Sequence, residues 1–232
     1  MKVEIWSDIV CPWCYIGKRR FEAALAGFEH RDEVAVLWHS FELDPVAPPV
    51  RAGALVDHLA SKYGVSGERA DQMHAEMTNR AAAEGLDFHF EKARSGNTFD
   101  AHRLVHLGAA SNRQDAVEER FFRAYLTEGE AIGEPATLRR LAVEAGLDAA
   151  AVDAVLAGER FAEAVRADEV EAAQLGIRGV PFFVIDRAYG VSGAQPADLL
   201  LAALRRAWTA SHPLAMVGGT GDTSCADGSC SV

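Results

Sequence analysis

Apolar positions change their period twice along the chain. Val3 and Ile5, with Ile9 and Val10 beyond them, frame a first strand predicted over residues 2–7. A helix should open at Pro12, because a proline at the first helical position gives up no intrahelical bond. It would bury Ile16, Phe21, Ala24, Leu25 and Phe28, with Tyr15 and Arg20 at its flanks. Residues 34–41, VAVLWHSF, are β-branched and aromatic and read as a second, largely buried strand. In the following ELDPVAPPV, Pro45, Pro48 and Pro49 forbid regular structure and mark an exit loop.

From about residue 52 to 175 the period is helical. Ala101, Leu104, Val105 and Gly108 recur at i, i+3, i+4 and i+7, as do Leu138, Leu141, Ala142 and Ala145. Val117, Phe121 and Ala124 form another stripe. Asn97 with Asp100, Glu134-Pro135 and Asp148 supply helix starts, and Gly85, Gly129, Gly146 and Gly158 punctuate the segments.

After LGIRG the pattern returns to extended. PFFVID, a turn at Arg187-Ala188 and YGVSG read as a hairpin, and Pro196 opens a last helix ending near Trp208. The order β-α-β, helical block, β-β-α implies one sheet interrupted by helices, hence an α/β fold. Residues 1–45 and 176–210 would form the sheet-bearing domain and 46–175 a helical insertion domain. Residues 211–232, rich in Gly, Ser and Thr, read as a flexible tail.

Composition narrows the function. With 232 residues, 49% hydrophobic and 25% charged, the chain can bury a core without disulfide staples. A net charge of −11, with no basic run longer than Lys18-Arg19-Arg20, argues against a nucleic-acid partner. No apolar run long enough for a membrane span is present, and MKVEIWSD reads as a strand rather than a secretion signal, so a cytoplasmic protein is expected. In that compartment a cysteine pair is more often catalytic, redox-sensing or metal-binding than structural.

Cys11-Pro12-Trp13-Cys14 lies where the strand gives way to the helix. Cys11 would sit at the helix N-terminus, where free N–H groups and the dipole stabilise a thiolate, the attacking species in disulfide exchange. Cys14, one turn on, would face the same side and displace the mixed disulfide. Pro12 and Trp13 fix the turn and exclude water. The competing reading is zinc, with Cys225 and Cys230 completing four thiolates. The pairs stand more than 200 residues apart, and a proline directly after the first ligand is unusual in a zinc knuckle, so no metal is expected. Val180-Pro181 supplies a second feature. A proline opening a strand can be cis, leaving the polar groups of Val180 free to pair with an extended substrate.

SDIVCPWCYIGKRRFE, FELDP, NTFDAHRLVHLG and LGIRGVPFFVID together resemble the DsbA-like thioredoxin-fold family, in its FrnE branch, over nearly the whole chain. The resemblance implies a thioredoxin-like fold with a helical insertion and a dithiol–disulfide oxidoreductase. Cys11 would be nucleophile, Cys14 resolving thiol and Pro181 the cis-proline. Some FrnE-like proteins also carry a C-terminal C-x4-C pair, matched here by Cys225 and Cys230; a coil of roughly sixteen residues would let that pair reach about 20–24 Å, enough to serve as a second redox site. The glutathione-dependent 2-hydroxychromene-2-carboxylate isomerases resemble the same layout, with serine where Cys11 stands; an isomerase or transferase of that type is the alternative enzyme, and a redox-regulated chaperone the other alternative.

The resemblance also places Asn97, Thr98 and His102 near the active cleft, as candidates to bind substrate or a thiol; from the residues alone they are a helix cap and a first-turn histidine. His39 reads as a hydrogen-bonded core histidine, Trp6 as packing, Trp13 as exposed, Phe182 and Phe183 as mostly core, and residues 168–173, DEVEAA, as a solvated helix face. No bound cofactor is required. Disulfide- or thiol-containing proteins would be the partners, with small thiols such as glutathione or another redox protein exchanging the electrons.

Overall fold

The computed structural model describes residues 1–213. Strand β1 (Lys2–Ser7), helix α1 (Pro12–Ala26) and strand β2 (Ala35–Ser40) are followed by helices α2 (Leu55–Tyr63), α3 (Gly67–Ala83), α4 (Phe99–Ala110), α5 (Gln114–Arg123), α6 (Pro135–Glu144), α7 (Ala149–Ala157) and α8 (Ala162–Gln174). Strands β3 (Phe182–Ile185) and β4 (Tyr189–Ser192) and helix α9 (Ala197–Ser211) complete them. The sheet order is β2-β1-β3-β4: β2 runs parallel to β1, and β3 and β4 antiparallel to their neighbours. This mixed four-stranded sheet with flanking helices is the thioredoxin-like arrangement that the resemblance implies.

Both faces of β1 are covered, so its alternation is apolar on one side and mixed on the other. Val3 and Ile5 enter the main core with Ile16 and Phe21 of α1, Phe183 of β3 and Leu200 and Leu204 of α9. Phe21 and Phe183 pack with ring centroids 5.6 Å apart, and Phe28 meets Trp208 edge-on at 5.9 Å. Each such fully buried side chain stabilises the fold by roughly 1.5–3 kcal/mol. On the opposite face Trp6 and Val184 lie under Ala172 of α8 and Ile177, and Trp6 Nε1 donates to the Asp168 carbonyl at 3.0 Å.

Three expectations need correction. Strand β2 is an edge strand, fully buried only at Trp38 and Ser40 and exposed at Ala35. Its unpaired rim is met by Gln114, whose amide accepts from the Trp38 N–H at 3.0 Å and donates to the Trp38 carbonyl at 2.8 Å, blunting an open edge. Tyr15 is buried rather than flanking, stacked on Phe122 at 5.0 Å. The acidic stretch 168–173 is not a uniformly solvated face, because Asp168 is buried. It accepts from Ser40 N–H at 2.7 Å and meets the imidazole Nδ1 of His39 at 2.7 Å, while Val170 and Ala173 are exposed.

The proline-rich exit loop is pinned by close approach. A Cβ on Gly96 would stand 2.1 Å from the Pro49 carbonyl oxygen, and one on Gly133 1.8 Å from it. Only glycines on both sides let that carbonyl pass, and the loop is thereby held against the segments that lead into α4 and α6.

Candidate active site at the N-terminus of α1

β1 ends at Ser7, and a turn closed by the Cys11 N–H on the Asp8 carbonyl (2.9 Å) delivers Cys11 as the residue capping α1. Its extended backbone (φ −90°, ψ 109°) turns into the helix at Pro12, whose missing N–H would have had no partner there. The Cys14 N–H bonds back to the Cys11 carbonyl at 3.0 Å. Cys11 is 5% exposed and Cys14 1%. The Cys11 thiol points at the Val180 carbonyl, 3.6 Å away and 169 residues on. The Val180–Pro181 bond is cis, and the Pro181 carbonyl accepts from Gly193 N–H at 2.8 Å, which ties this segment to β4.

Cys11 forms the floor of a cleft of about 370 Å³ between the sheet domain and the helices. Its walls are largely apolar, with Leu55 and Leu59 from α2, Met73 and Met77 from α3, and Tyr125 just after α5. Arg51, paired with Asp44 at 2.5 Å, and Lys62 add positive charge. Burial, Arg51 and Lys62 together push the His58 imidazole below its usual value, which keeps it neutral. Trp13 stands at the rim, 36% exposed, with the Arg80 guanidinium 5.7 Å from its ring centre.

Behind the thiols lies a buried polar layer. Ser7, Asp8, Lys18, His102 and Glu118 are each at most 2% exposed. Asp8 accepts from Leu43 N–H at 2.7 Å and faces His102 Nε2 at 3.4 Å. Burial alone would lower His102, but the Asp8 carboxylate, with Glu118 and Glu42, reverses this and raises it. Burial pushes the Glu118 carboxyl up to about 7, against the pull of His102, the Ser7 hydroxyl and Lys18. Burial and the neighbouring Cys11 sulfur push the Cys14 thiol well above its ordinary value, although the Asp8 backbone N–H and the Ser7 hydroxyl favour its thiolate. Cys14 therefore keeps its proton at neutral pH.

Of the sequence candidates, Cys11, Pro12, Trp13, Thr98 and Val180 line the cleft. Asn97 works elsewhere: its Oδ1 accepts from Phe99 N–H at 2.9 Å, at the start of α4, and its Nδ2 reaches Glu42 and the Pro45 carbonyl, both at 3.3 Å. His102 is buried against Asp8 rather than open to the cleft. Cys225 and Cys230 lie outside the described residues. Sequence reasoning missed Ser7, Asp8, Gly17 and Glu118. Gly17 left a signal, a helix-breaking residue mid-helix one turn after Cys14. Glu118 left none, since a glutamate beside Val117 reads as the wet face of an amphipathic helix.

A second polar group joins the sheet to α8. His39, Asp168 and Glu171 present ligand-type atoms within 4.8 Å of one another. His39 is engaged by Asp168, Asp168 also by His106 at 3.0 Å, and Glu171 by Arg187. Their mutual pairing makes this an ion-pair network rather than a cation cage.

Residues 2–205 match the family model described as a DSBA-like thioredoxin domain. The crystal structure of a probable DsbA oxidoreductase from Streptomyces coelicolor is 50% identical and superposes with a TM-score of 0.88, covering 94% of each chain. The uncharacterized protein YwbO of Bacillus subtilis is 28% identical over 185 residues, 79% of this chain and 86% of that one. The cytosolic disulfide reductase DsbM of Pseudomonas aeruginosa, solved with glutathione, shares the fold at 21% identity and a TM-score of 0.62, covering 89% of this chain and 98% of that one. Among the described residues no helix is long and apolar enough to cross a membrane.

Proposed function

Because the chain belongs to the family of DSBA-like thioredoxin domains, we propose that it is a thiol:disulfide oxidoreductase acting through Cys11 and Cys14. One observation carries the reading. Cys11 caps α1 on the floor of an apolar cleft, beside the Val180 carbonyl, with the protonated Cys14 directly behind it. The likeness at 50% identity to a probable DsbA oxidoreductase supports it.

In this reaction the Cys11 thiolate attacks one sulfur of a partner disulfide and releases the other half as a thiolate. The partner segment lies extended along Val180, which can pair with it as one strand pairs with another. The sulfur of Cys14 then attacks Cys11, closes the Cys11–Cys14 disulfide and frees the partner thiol. Run backwards, the same steps oxidise a dithiol. Electrons pass to or from proteins or small thiols such as glutathione, and the apolar walls with Arg51 and Lys62 at the rim suit an extended, partly anionic segment. Disulfide exchange of this kind requires no metal.

Reduction of insulin disulfides by dithiothreitol tests this. Wild type should accelerate it and Cys11→Ser should not, while Cys14→Ser should accumulate mixed disulfides through Cys11. No acceleration by wild type, together with glutathione-dependent isomerisation of a chromene carboxylate, would assign the site to an isomerase instead. Suppression of aggregation that survives Cys11→Ser would point to a chaperone. Cell fractionation tests the cytoplasmic setting that we propose with it.

A further inference from the structure

The mouth of the cleft carries two features together. The first is uncancelled positive charge on a chain of net charge −11. Most Lys and Arg side chains are held by carboxylates, as Arg20 is by Glu84 and Arg139 by Asp153. Among the described residues Lys62, Arg80 and Arg178 form no ion pair, and all three are exposed. Lys62 lines the cleft, Arg80 lies over the rim residue Trp13, and Arg178 directly precedes the lining residues Gly179 and Val180. The carboxylates that line the cleft do not offset them, because Asp44 is taken by Arg51 and Asp8 by the Leu43 N–H and His102. The second feature is exposed apolar surface. Trp13, Leu43 and Tyr63 line the mouth, with Tyr63 57% exposed, and Val46, next to the lining residue Ala47, is 88% exposed. Exposed apolar surface rimmed by charge is the mark of a protein contact.

The disulfide exchange proposed above, on which this inference rests, brings a partner segment to that mouth. A segment extended along Val180 sends every second side chain to one side, so the residues two positions from its cysteine enter the cleft with it. The cleft holds about 370 Å³ between walls of Leu55, Leu59, Met73, Met77 and Phe90. A large apolar side chain fills that space, whereas a glutathione moiety, which has none, leaves it unfilled. Residues further along the segment emerge between Arg178 on the sheet side and Lys62 and Arg80 on the helical side. The field there is positive even inside the cleft: at His58, Arg51 and Lys62 together outweigh Asp44.

We infer that the cleft mouth is a docking surface for acidic protein segments that carry a large apolar residue near the disulfide cysteine, with Lys62, Arg80 and Arg178 selecting the charge. The apolar residue anchors in the cleft, and Trp13, Leu43, Val46 and Tyr63 cover the backbone around it. Carboxylates on either side of the anchor pair with the three cations. The Arg80 guanidinium keeps its N–H groups available for this, since its contact with Trp13 is through the ring face. Charge complementarity of this kind acts mainly on the rate of encounter and on the choice between partners.

The test mixes the reduced full-length protein with short peptides whose cysteine is joined to nitrothiobenzoate as a mixed disulfide. Cys11 and Cys14 give up two electrons and close their disulfide, while the peptide thiol and the coloured nitrothiobenzoate are released. The peptides share a Phe-x-Cys core and differ only in two flanking residues, both Glu, both Gln or both Lys. Exposed ion pairs change a rate a few-fold each, so the Glu peptide should react about ten- to fiftyfold faster than the Lys peptide at low salt. About 0.5 M NaCl should shrink that ratio to about threefold or less. Lys62→Glu with Arg178→Glu should bring the ratio to one or invert it. The ratio is taken within each variant, so a general loss of reactivity does not move it. Arg206→Glu, on α9 beside Tyr189, is exposed and changes the net charge equally per site; it should keep the wild-type ratio. Replacing Phe by Ser in the peptide should slow the reaction about tenfold or more. A wild-type ratio near one, or an equal shift in Arg206→Glu, would overturn the docking surface. Oxidised glutathione reacting faster than every peptide would give the cleft to a small thiol, and peptide rate constants that fall with rising protein concentration would give it to a second copy of the chain; either overturns the proposal. No reaction of wild type with any peptide or with oxidised glutathione would instead remove the oxidoreductase reading, a separately visible outcome.

Discussion

A Cβ on Gly17 would stand 2.9 Å from Cγ of Pro181 and 3.5 Å from the ring of Phe183. The bare second turn of α1 is thus the surface on which Pro181 rests, and it sets how far Val180 stands from Cys11. Gly17→Ala should gain up to about 1 kcal/mol in helix propensity and lose about 1–3 kcal/mol to overpacking against a ring fixed to the backbone. The expected net is a lower melting temperature together with slower disulfide exchange. A variant as active and stable as wild type would show that Pro181 does not depend on this contact.

Glu118 also predicts a pH-dependent stability. Folded, it keeps its proton up to about pH 7; unfolded, it loses it near the ordinary 4.5. Its raised value contributes stability that is complete below the unfolded value and lost as pH rises through the folded one. Glu118→Gln removes that loss. The variant's stability relative to wild type should therefore climb between about pH 4.5 and 7 and level above, by up to about 3 kcal/mol. Urea titrations across that range would measure it, and a flat difference would mean that Glu118 is not buried as an acid.

Arg103 fastens α4 to the end of α7. Nearly buried, it donates through Nε to the Arg160 carbonyl at 3.0 Å, through Nη1 to Asp100 at 2.7 Å, and through Nη2 to the carbonyls of Val155 and Gly158. Arg103→Leu keeps bulk but orphans those acceptors, so it should destabilise the protein by about 3 kcal/mol or more. Alkylation of Cys11 by iodoacetamide in the folded variant should be unchanged, since none of these groups touches the thiols.

Asp168 carries the acid limb. Burial would raise its carboxyl, but His106 and His39, with the Ser40 N–H, hold it well below the usual carboxylate range. A depressed acid contributes stability present above its unfolded value and lost as pH falls below it. Asp168→Asn should cost about 3 kcal/mol at pH 7, with the gap to wild type closing below about pH 4. Thermal melts at pH 7 and pH 3.5 would check this; an equal gap at both would refute the charge-based account.

The two ends of the chain were legible because their signals are local. Strand period at residues 2–7, proline at a helix start and the alternation of PFFVID each act within a few residues, and the structure places β1, α1, β3 and β4 within a residue or so of those expectations. The Cys-Pro-Trp-Cys motif was visible for the same reason. Asp168 was misread, because an acidic residue on a helix is wet only if nothing packs on that side, and here the edge of β2 does.

The sequence by itself determined the alternation of strands and helices, the place of the cysteine pair at the start of a helix and the apolar stripes that must be buried. Tertiary structure alone decided which charges are buried with them. Asp8 and His102 are 94 positions apart, and they meet at 3.4 Å only because the helical block folds back over the end of β1. Desolvation depends on what surrounds a group in space, and no local pattern of residues carries that information.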